Sequence, residues 1–167
     1  MDGGGEDMKI KTKEIELLVA SYFKWRPNLI IPNVSWGMFH YECDLIVLTQ
    51  SGYMYEVEIK VSLSDLKKDM EKKHGHFNEK IKYLYFAIPE YLEKHKEYIP
   101  DRAGIIVVRR INNGGSNNGD LYLDFIKYPE QNSKYKVTDY ERYQLARLGA
   151  LRIWGLKAKL LEQEQVK

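Results

Sequence analysis

The stretch from Glu42 to Lys60 constrains the fold more than any other part of the chain. It reads as two strands joined by a short turn, with Asp44 inside the first strand and the triplet Glu58-Ile59-Lys60 ending the second. Side chains alternate across a strand, so Glu58 and Lys60 share one face while Val57, Ile59 and Val61 share the other. Leu45, Ile46, Val47 and Leu48 make the first strand read as buried on both faces, and a charge on such a strand is seldom left unpaired. A hairpin that set Asp44 opposite the triplet would bring two carboxylates and one ammonium to a point, one acid more than a salt bridge needs. Such a cluster suits a divalent cation.

The chemistry that fits is phosphodiester hydrolysis. Two close carboxylates repel unless a hard cation neutralises them, and Mg²⁺ accepts one or two carboxylates while leaving positions for water and phosphate oxygens. The ion polarises the phosphate and lowers the pKa of a bound water. Lys60 beside that water would orient the nucleophile and offset charge in the transition state, and the main-chain carbonyl of Ile59 is a further candidate ligand. Glu56 falls outside the triplet and is expected to be an exposed partner for a lysine.

At these residues the chain resembles the PD-(D/E)xK nuclease superfamily, whose pattern is an acid, a spacer covering one hairpin, and then acid-x-lysine. The resemblance implies Asp44 and Glu58 as metal ligands and Lys60 as the catalytic lysine, with Cys43 standing where that pattern has proline. It also implies an αβββαβ core over roughly the first ninety residues. More narrowly, Pro32 to Gly37, Ser62 to Lys67 and Leu84 to Pro89 look like small MmcB-like proteins assigned to DNA repair, and like related phage proteins. The expected activity is a Mg²⁺-dependent deoxyribonuclease, with Mn²⁺ as a substitute ion. The rival expectation is a nucleic-acid-binding module that keeps the nuclease fold without turnover.

The 167 residues suit one domain with a real core, 44% hydrophobic content argues against disorder, and the net charge of +2 leaves DNA affinity to local patches. The single cysteine excludes a disulfide framework, no run approaches about eighteen apolar residues, and the start at Met1 to Asp7 lacks the pattern of a signal peptide. A cytoplasmic protein without membrane contact is expected.

Along the chain, residues 1–8 are expected to be a disordered lead-in to an α/β domain over 9–137. Ile15, Leu18, Val19 and Tyr22 mark one stripe of a helix from Thr12 to Trp25. In the resembled superfamily this helix often supplies one more carboxylate. Glu14 and Glu16 flank opposite edges of the stripe, so at most one can face the site, and the resemblance favours Glu16. Pro27 and Pro32 enclose Leu29 to Ile31, and a strand then continues toward Tyr41 with Trp36 and His40 near the cleft. Ser62 to Asp65 reads as a capping box opening a helix to about His74. Lys67, Lys68, Lys72 and Lys73 on it are candidate phosphate contacts, with ion pairing to Asp65, Asp69 and Glu71 as the competing reading. His74 and His76 have a spacing that fits neither face of a helix, so they are read as the helix end and not as a zinc pair.

A strand from Ile81 to Ile88, a short helix from Glu90 to Tyr98, and a hairpin of Gly104 to Ile111 with Leu121 to Lys127 around an Asn/Gly-rich loop should follow. The last helix, about Thr138 to Leu161, has apolar residues on two sides, which calls for two partners, the domain and a second subunit in a homodimer. Gly149 and Gly155 are expected to divide it. Together these elements predict an α/β fold: a mixed central sheet flanked by helices, a restriction-endonuclease-like core with an added hairpin, and a C-terminal helical segment over 138–167.

Overall fold

The computed structural model describes residues 9–35, 41–72, 76–111 and 120–165. Its elements in chain order are α1 (Thr12–Tyr22), β1 (Leu29–Val34), β2 (Cys43–Leu48), β3 (Met54–Ile59), α2 (Leu63–Met70), β4 (Ile81–Pro89), a 3₁₀ helix (Glu90–Tyr98), β5 (Gly104–Arg110), β6 (Leu121–Lys127) and α3 (Asp139–Gln165). The strands form one sheet in sequence order, β1 to β6. The β3–β4 and β4–β5 pairs are parallel and the others antiparallel, so the chain makes an α/β fold with a mixed sheet, as expected. The parallel pairs follow from the two helical crossovers, α2 and the 3₁₀ helix, since parallel neighbours need a long return.

Helices cover both faces. On one, Ile15 and Val19 of α1 pack on Leu45, Val47, Val57, Ile59 and Ala87. On the other, two apolar clusters lie apart. Leu145 and Leu148 of α3 meet Ile31, Ile46, Leu48, Met54 and Ile81, while Leu66 of α2 and Leu92 of the 3₁₀ helix meet Leu84, Phe86, Ile88 and Val107. Opposed residues share a face, and Glu56 pairs with Ile46 and Leu84. The acids of β3 therefore lie between these clusters.

Several boundaries differ from the expectation. α1 ends at Tyr22, three residues early, because Lys24 takes a positive φ of 58° that stops helical geometry. Pro32 does not stop β1: it pairs with Leu45 on an edge strand, where a missing N–H costs no ladder bond. α2 opens as expected on Ser62, whose hydroxyl accepts from the Asp65 amide at 3.1 Å, but ends at Met70, so Lys72 lies beyond it. Gly149 and Gly155 do not divide α3, which runs unbroken to Gln165. One glycine per few turns costs about 1 kcal/mol of helix propensity, too little to break a helix this long. The expected lead-in, Trp36, His40, Lys73, His74 and the Asn/Gly-rich loop lie outside the described residues.

Candidate metal centre

The β2–β3 register, with Leu45 opposite Val57, sets Asp44 beside Glu58. The Asp44 amide reaches Glu58 Oε1 at 3.4 Å, and the Ile59 amide donates to Asp44 Oδ2 at 2.8 Å. Lys60 follows one alternation later and bonds Glu58 Oε2, with its Nζ also 3.3 Å from Asp44 Oδ2. The structure thus brings Asp44, Glu58 and Lys60 together, with Glu58 and Lys60 buried and Asp44 half-buried. The contact seen at Ile59 is made by its amide.

The two acids of α1 are placed differently. Glu14 turns back to the start of α1, where its Oε2 accepts from the Lys11 amide at 2.7 Å. Glu16 lies one edge further round, half-buried, and its carboxyl is held above the usual range by burial and by the nearby negative charge of Asp44. Of the two, Glu16 is the acid whose charge the Asp44 carboxylate influences.

Glu56 is not an exposed partner for a surface lysine. It is fully buried, accepting from Tyr41 Oη at 2.8 Å and contacting His76 Nδ1 at 2.7 Å. The expectation failed because alternation gives the face of a residue but not what covers that face. Here the cover is His76, which lies beyond α2 at a positive φ of 54° and stands edge-on to the rings of Tyr41 and Phe86. Its Nε2 meets Asp69 Oδ2 at 2.6 Å. Asp69 in turn faces Lys72 at 2.5 Å and Lys60 at 3.4 Å.

Sequence reasoning missed His76 and Asp69 as parts of the centre. Asp69 does make the expected intrahelical-type pair with Lys72, but it does so from a buried position that also joins Lys60. The available signal was weak: an acid on the same face of α2 as buried Leu66, three residues on.

Electrostatically the centre is short of positive charge. Burial and the neighbouring Asp44 push the Glu58 carboxyl up to about 7, although Lys60 and His76 pull against this. Burial opposes a proton on His76, yet its bonds to Asp69 and Glu56 win and raise it to about 9. Burial likewise disfavours the Lys60 ammonium, but Glu58 and Asp44 more than restore it. Glu56, Glu58 and His76 could hold a metal ion: one ligand atom from each lies within 4.8 Å of the others. Nearby Cys43 is buried, and that burial with the surrounding acids holds its thiol strongly protonated, so no nucleophilic role fits it.

Of the expected phosphate-contacting lysines, Lys67 and Lys68 are exposed on α2, with the Lys67 Nζ 5.3 Å from the Tyr98 ring centre. Lys72 is engaged by Asp69. Among the described residues, no helix is long and apolar enough to cross a membrane.

No protein-family pattern and no curated protein matches the chain. Among solved structures it is similar to a protein of unknown function from Silicibacter pomeroyi, with a TM-score of 0.60 and 14% identity over 94% of this chain and 96% of that one. At that identity the likeness bears on the fold alone. The shared fold includes nearly the full length of both chains.

Proposed function

We propose that the chain is a metal-dependent deoxyribonuclease of the PD-(D/E)xK kind, hydrolysing DNA phosphodiester bonds. The observation that carries this reading is the meeting of Asp44, Glu58 and Lys60 on adjacent strands, where an acid-x-lysine triplet and a partner acid are aligned by register. The element order α1-β1-β2-β3-α2-β4 supports it, being the order of the resembled core. Its setting in DNA repair or in a phage or mobile element follows from sequence resemblance.

The residues fit a hard divalent ion on their own chemistry. Glu58 is held near neutrality by burial beside Asp44, a condition that added positive charge relieves. Mg²⁺, or Mn²⁺ in its place, would be held by Asp44 and Glu58 with the Ile59 carbonyl, and would supply Lewis acidity toward the phosphate and hydroxide near neutral pH. Lys60 keeps its proton and presents donors at the edge of the carboxylate pair, where an attacking water and a phosphate oxygen would meet. Glu16 adds charge from the α1 side. Lys67 and Lys68, on the helix that starts directly after Lys60, would position the DNA backbone without reading its sequence.

One observation favours a second reading, a nuclease-fold module that binds nucleic acid without cutting it. The Lys60 ammonium already contacts three carboxylates, those of Glu58, Asp44 and Asp69, and such a closed network can persist as structure alone. The deciding experiment is cleavage of labelled single-stranded, duplex, flapped and branched DNA with Mg²⁺ or Mn²⁺, run beside Asp44→Asn and Lys60→Ala. Cutting that needs the ion and vanishes in both variants supports the nuclease. Retained binding with no cutting on any substrate selects the second reading.

A further inference from the structure

The Glu56, Glu58 and His76 cluster adjoins the Asp44 side of the centre through Glu58 but differs from it in burial and chemistry. Asp44 is half-buried and offers only oxygen, whereas Glu56, Glu58 and His76 are each about 1% exposed or less and include an imidazole nitrogen. We propose that Glu56, Glu58 and His76 form a distinct buried site for a divalent first-row transition metal such as Mn²⁺, lying inboard of the Asp44 position and sharing Glu58 with it. This deepens the nuclease reading as to what the ion is used for, but the binding itself does not depend on that reading.

Three features support it. The first is the ligand set. Mg²⁺ prefers oxygen ligands and retains its waters, while an imidazole among carboxylates suits the transition ions. The second is orientation. A metal-ligating histidine commonly donates its other ring N–H to a carboxylate, which fixes the tautomer and aims the free nitrogen. Asp69 Oδ2, 2.6 Å from His76 Nε2, is placed for that task, and it leaves Nδ1 facing Glu56 and Glu58 at 2.7 and 3.7 Å. Binding would exchange the Nδ1 proton for the ion and keep Nε2–H on Asp69, so Asp69 is a positioning residue.

The third feature is a way in. A cleft of about 230 Å³ between the end of α2 and the segment after the 3₁₀ helix has Asp69 and His76 in its wall. Glu97 and Asp101 line it as well, so the approach to the histidine carries negative charge that attracts cations. Charge points the same way. Four carboxylates, from Asp44, Glu56, Glu58 and Asp69, face only the ammonium groups of Lys60 and Lys72, so a divalent ion with neutral His76 adds positive charge where acids predominate.

The test is metal binding by the whole protein after chelator treatment, followed by Co²⁺ visible absorption and by Mn²⁺ electron-spin-echo spectra, in His76→Gln and Asp44→Asn beside the native chain. His76→Gln keeps an amide to meet Asp69 but removes the Nδ1 ligand. The expected result is one tightly held ion per chain that resists excess Mg²⁺ and shows nitrogen coupling from imidazole. His76→Gln should lose that coupling and at least about tenfold in Co²⁺ affinity, while Asp44→Asn keeps both. No tightly held ion, an ion without nitrogen coupling, or affinity lost through Asp44→Asn and untouched by His76→Gln would each overturn the proposal. Should His76→Gln not fold, the nitrogen coupling in the native protein decides. Mg²⁺-dependent cleavage by a native protein that holds no Co²⁺ site would sink this inference alone, whereas an intact Co²⁺ site with no cleavage would sink only the nuclease reading.

Discussion

Lys60 shows how burial changes the meaning of a single side chain. At the surface an ammonium beside carboxylates contributes little, but Lys60 is buried among Glu58, Asp44 and Asp69, so removing it leaves acids with no counter-charge. Lys60→Ala is expected to cost about 3–5 kcal/mol in urea unfolding without metal. Lys68→Ala, on the exposed face of α2, should stay within about 0.5 kcal/mol. Equal effects of the two would show that the buried network is not formed in solution. Tyr41 is a second case, because its hydroxyl is the donor to buried Glu56 Oε2. Tyr41→Phe leaves that oxygen one bond short and should cost about 1–3 kcal/mol. A loss below about 0.5 kcal/mol would mean that water takes the place of the hydroxyl. Glu58 and Lys60 were legible as residues of the candidate centre because a triplet on one strand is a local pattern. His76 was not, since its partners Glu56 and Asp69 come from β3 and α2 and meet it only in three dimensions.

Among the elements, α3 is anchored by its first turn. Glu141 accepts from the Thr138 amide at 2.8 Å and from Tyr135 Oη at 2.7 Å, and it pairs with Lys80 at 2.5 Å. Burial works against this carboxylate, but the bonds from Lys80, Thr138 and Tyr135 bring it down to about 2. A depressed carboxyl contributes stability above its unfolded value near 4.5 and loses it as the pH falls toward 2. The native protein should therefore exceed Glu141→Gln by about 1–2 kcal/mol at pH 6, after allowance for solvent screening, and the gap should narrow below about pH 4.5 and close near about pH 2. A gap that is constant with pH would rule out the charge as its source. At the β4–β5 crossover, Gly104 pairs with Tyr85, and a Cβ there would lie 2.7 Å from the Tyr85 ring and 2.8 Å from Pro129 Cδ. Gly104→Ala should cost about 1–3 kcal/mol as an overpacked site, read from the thermal midpoint. The sequence showed where these strands lie, but not that two of them approach so closely at this glycine.

For the molecule as a whole, α3 divides into a held half and a free half. Leu145 and Leu148 are buried against β1 and β2, and Arg152 bonds the Asn33 carbonyl, but Ile153, Trp154, Leu156, Leu160 and Leu161 are all exposed. The apolar residues on two sides thus meet the domain within the first three turns of α3. Deleting Ile153 to Lys167 should shift the thermal midpoint by only a few degrees, since those described residues cover nothing in the core. Leu145→Ala should cost about 2–5 kcal/mol, the range for emptying a buried leucine site. A truncation as damaging as Leu145→Ala would mean that the free half is part of the folding unit.

The sequence by itself determined the local facts. Alternation and helical spacing located the helices and the strands β2 to β6, though not β1, which runs from Leu29 through Pro32 to Val34, and the spacing of Asp44, Glu58 and Lys60 marked the candidate centre. Such patterns repeat over two to four residues and are set by backbone geometry, so they survive without tertiary context. Tertiary structure decided what those patterns face. It buried Glu56, turned Glu14 into a cap and left Glu16 near Asp44. It also set Asp69 of α2 and His76 together over β3. Each of these outcomes depends on which surface covers a side chain, and that is fixed by the packing of segments distant in sequence.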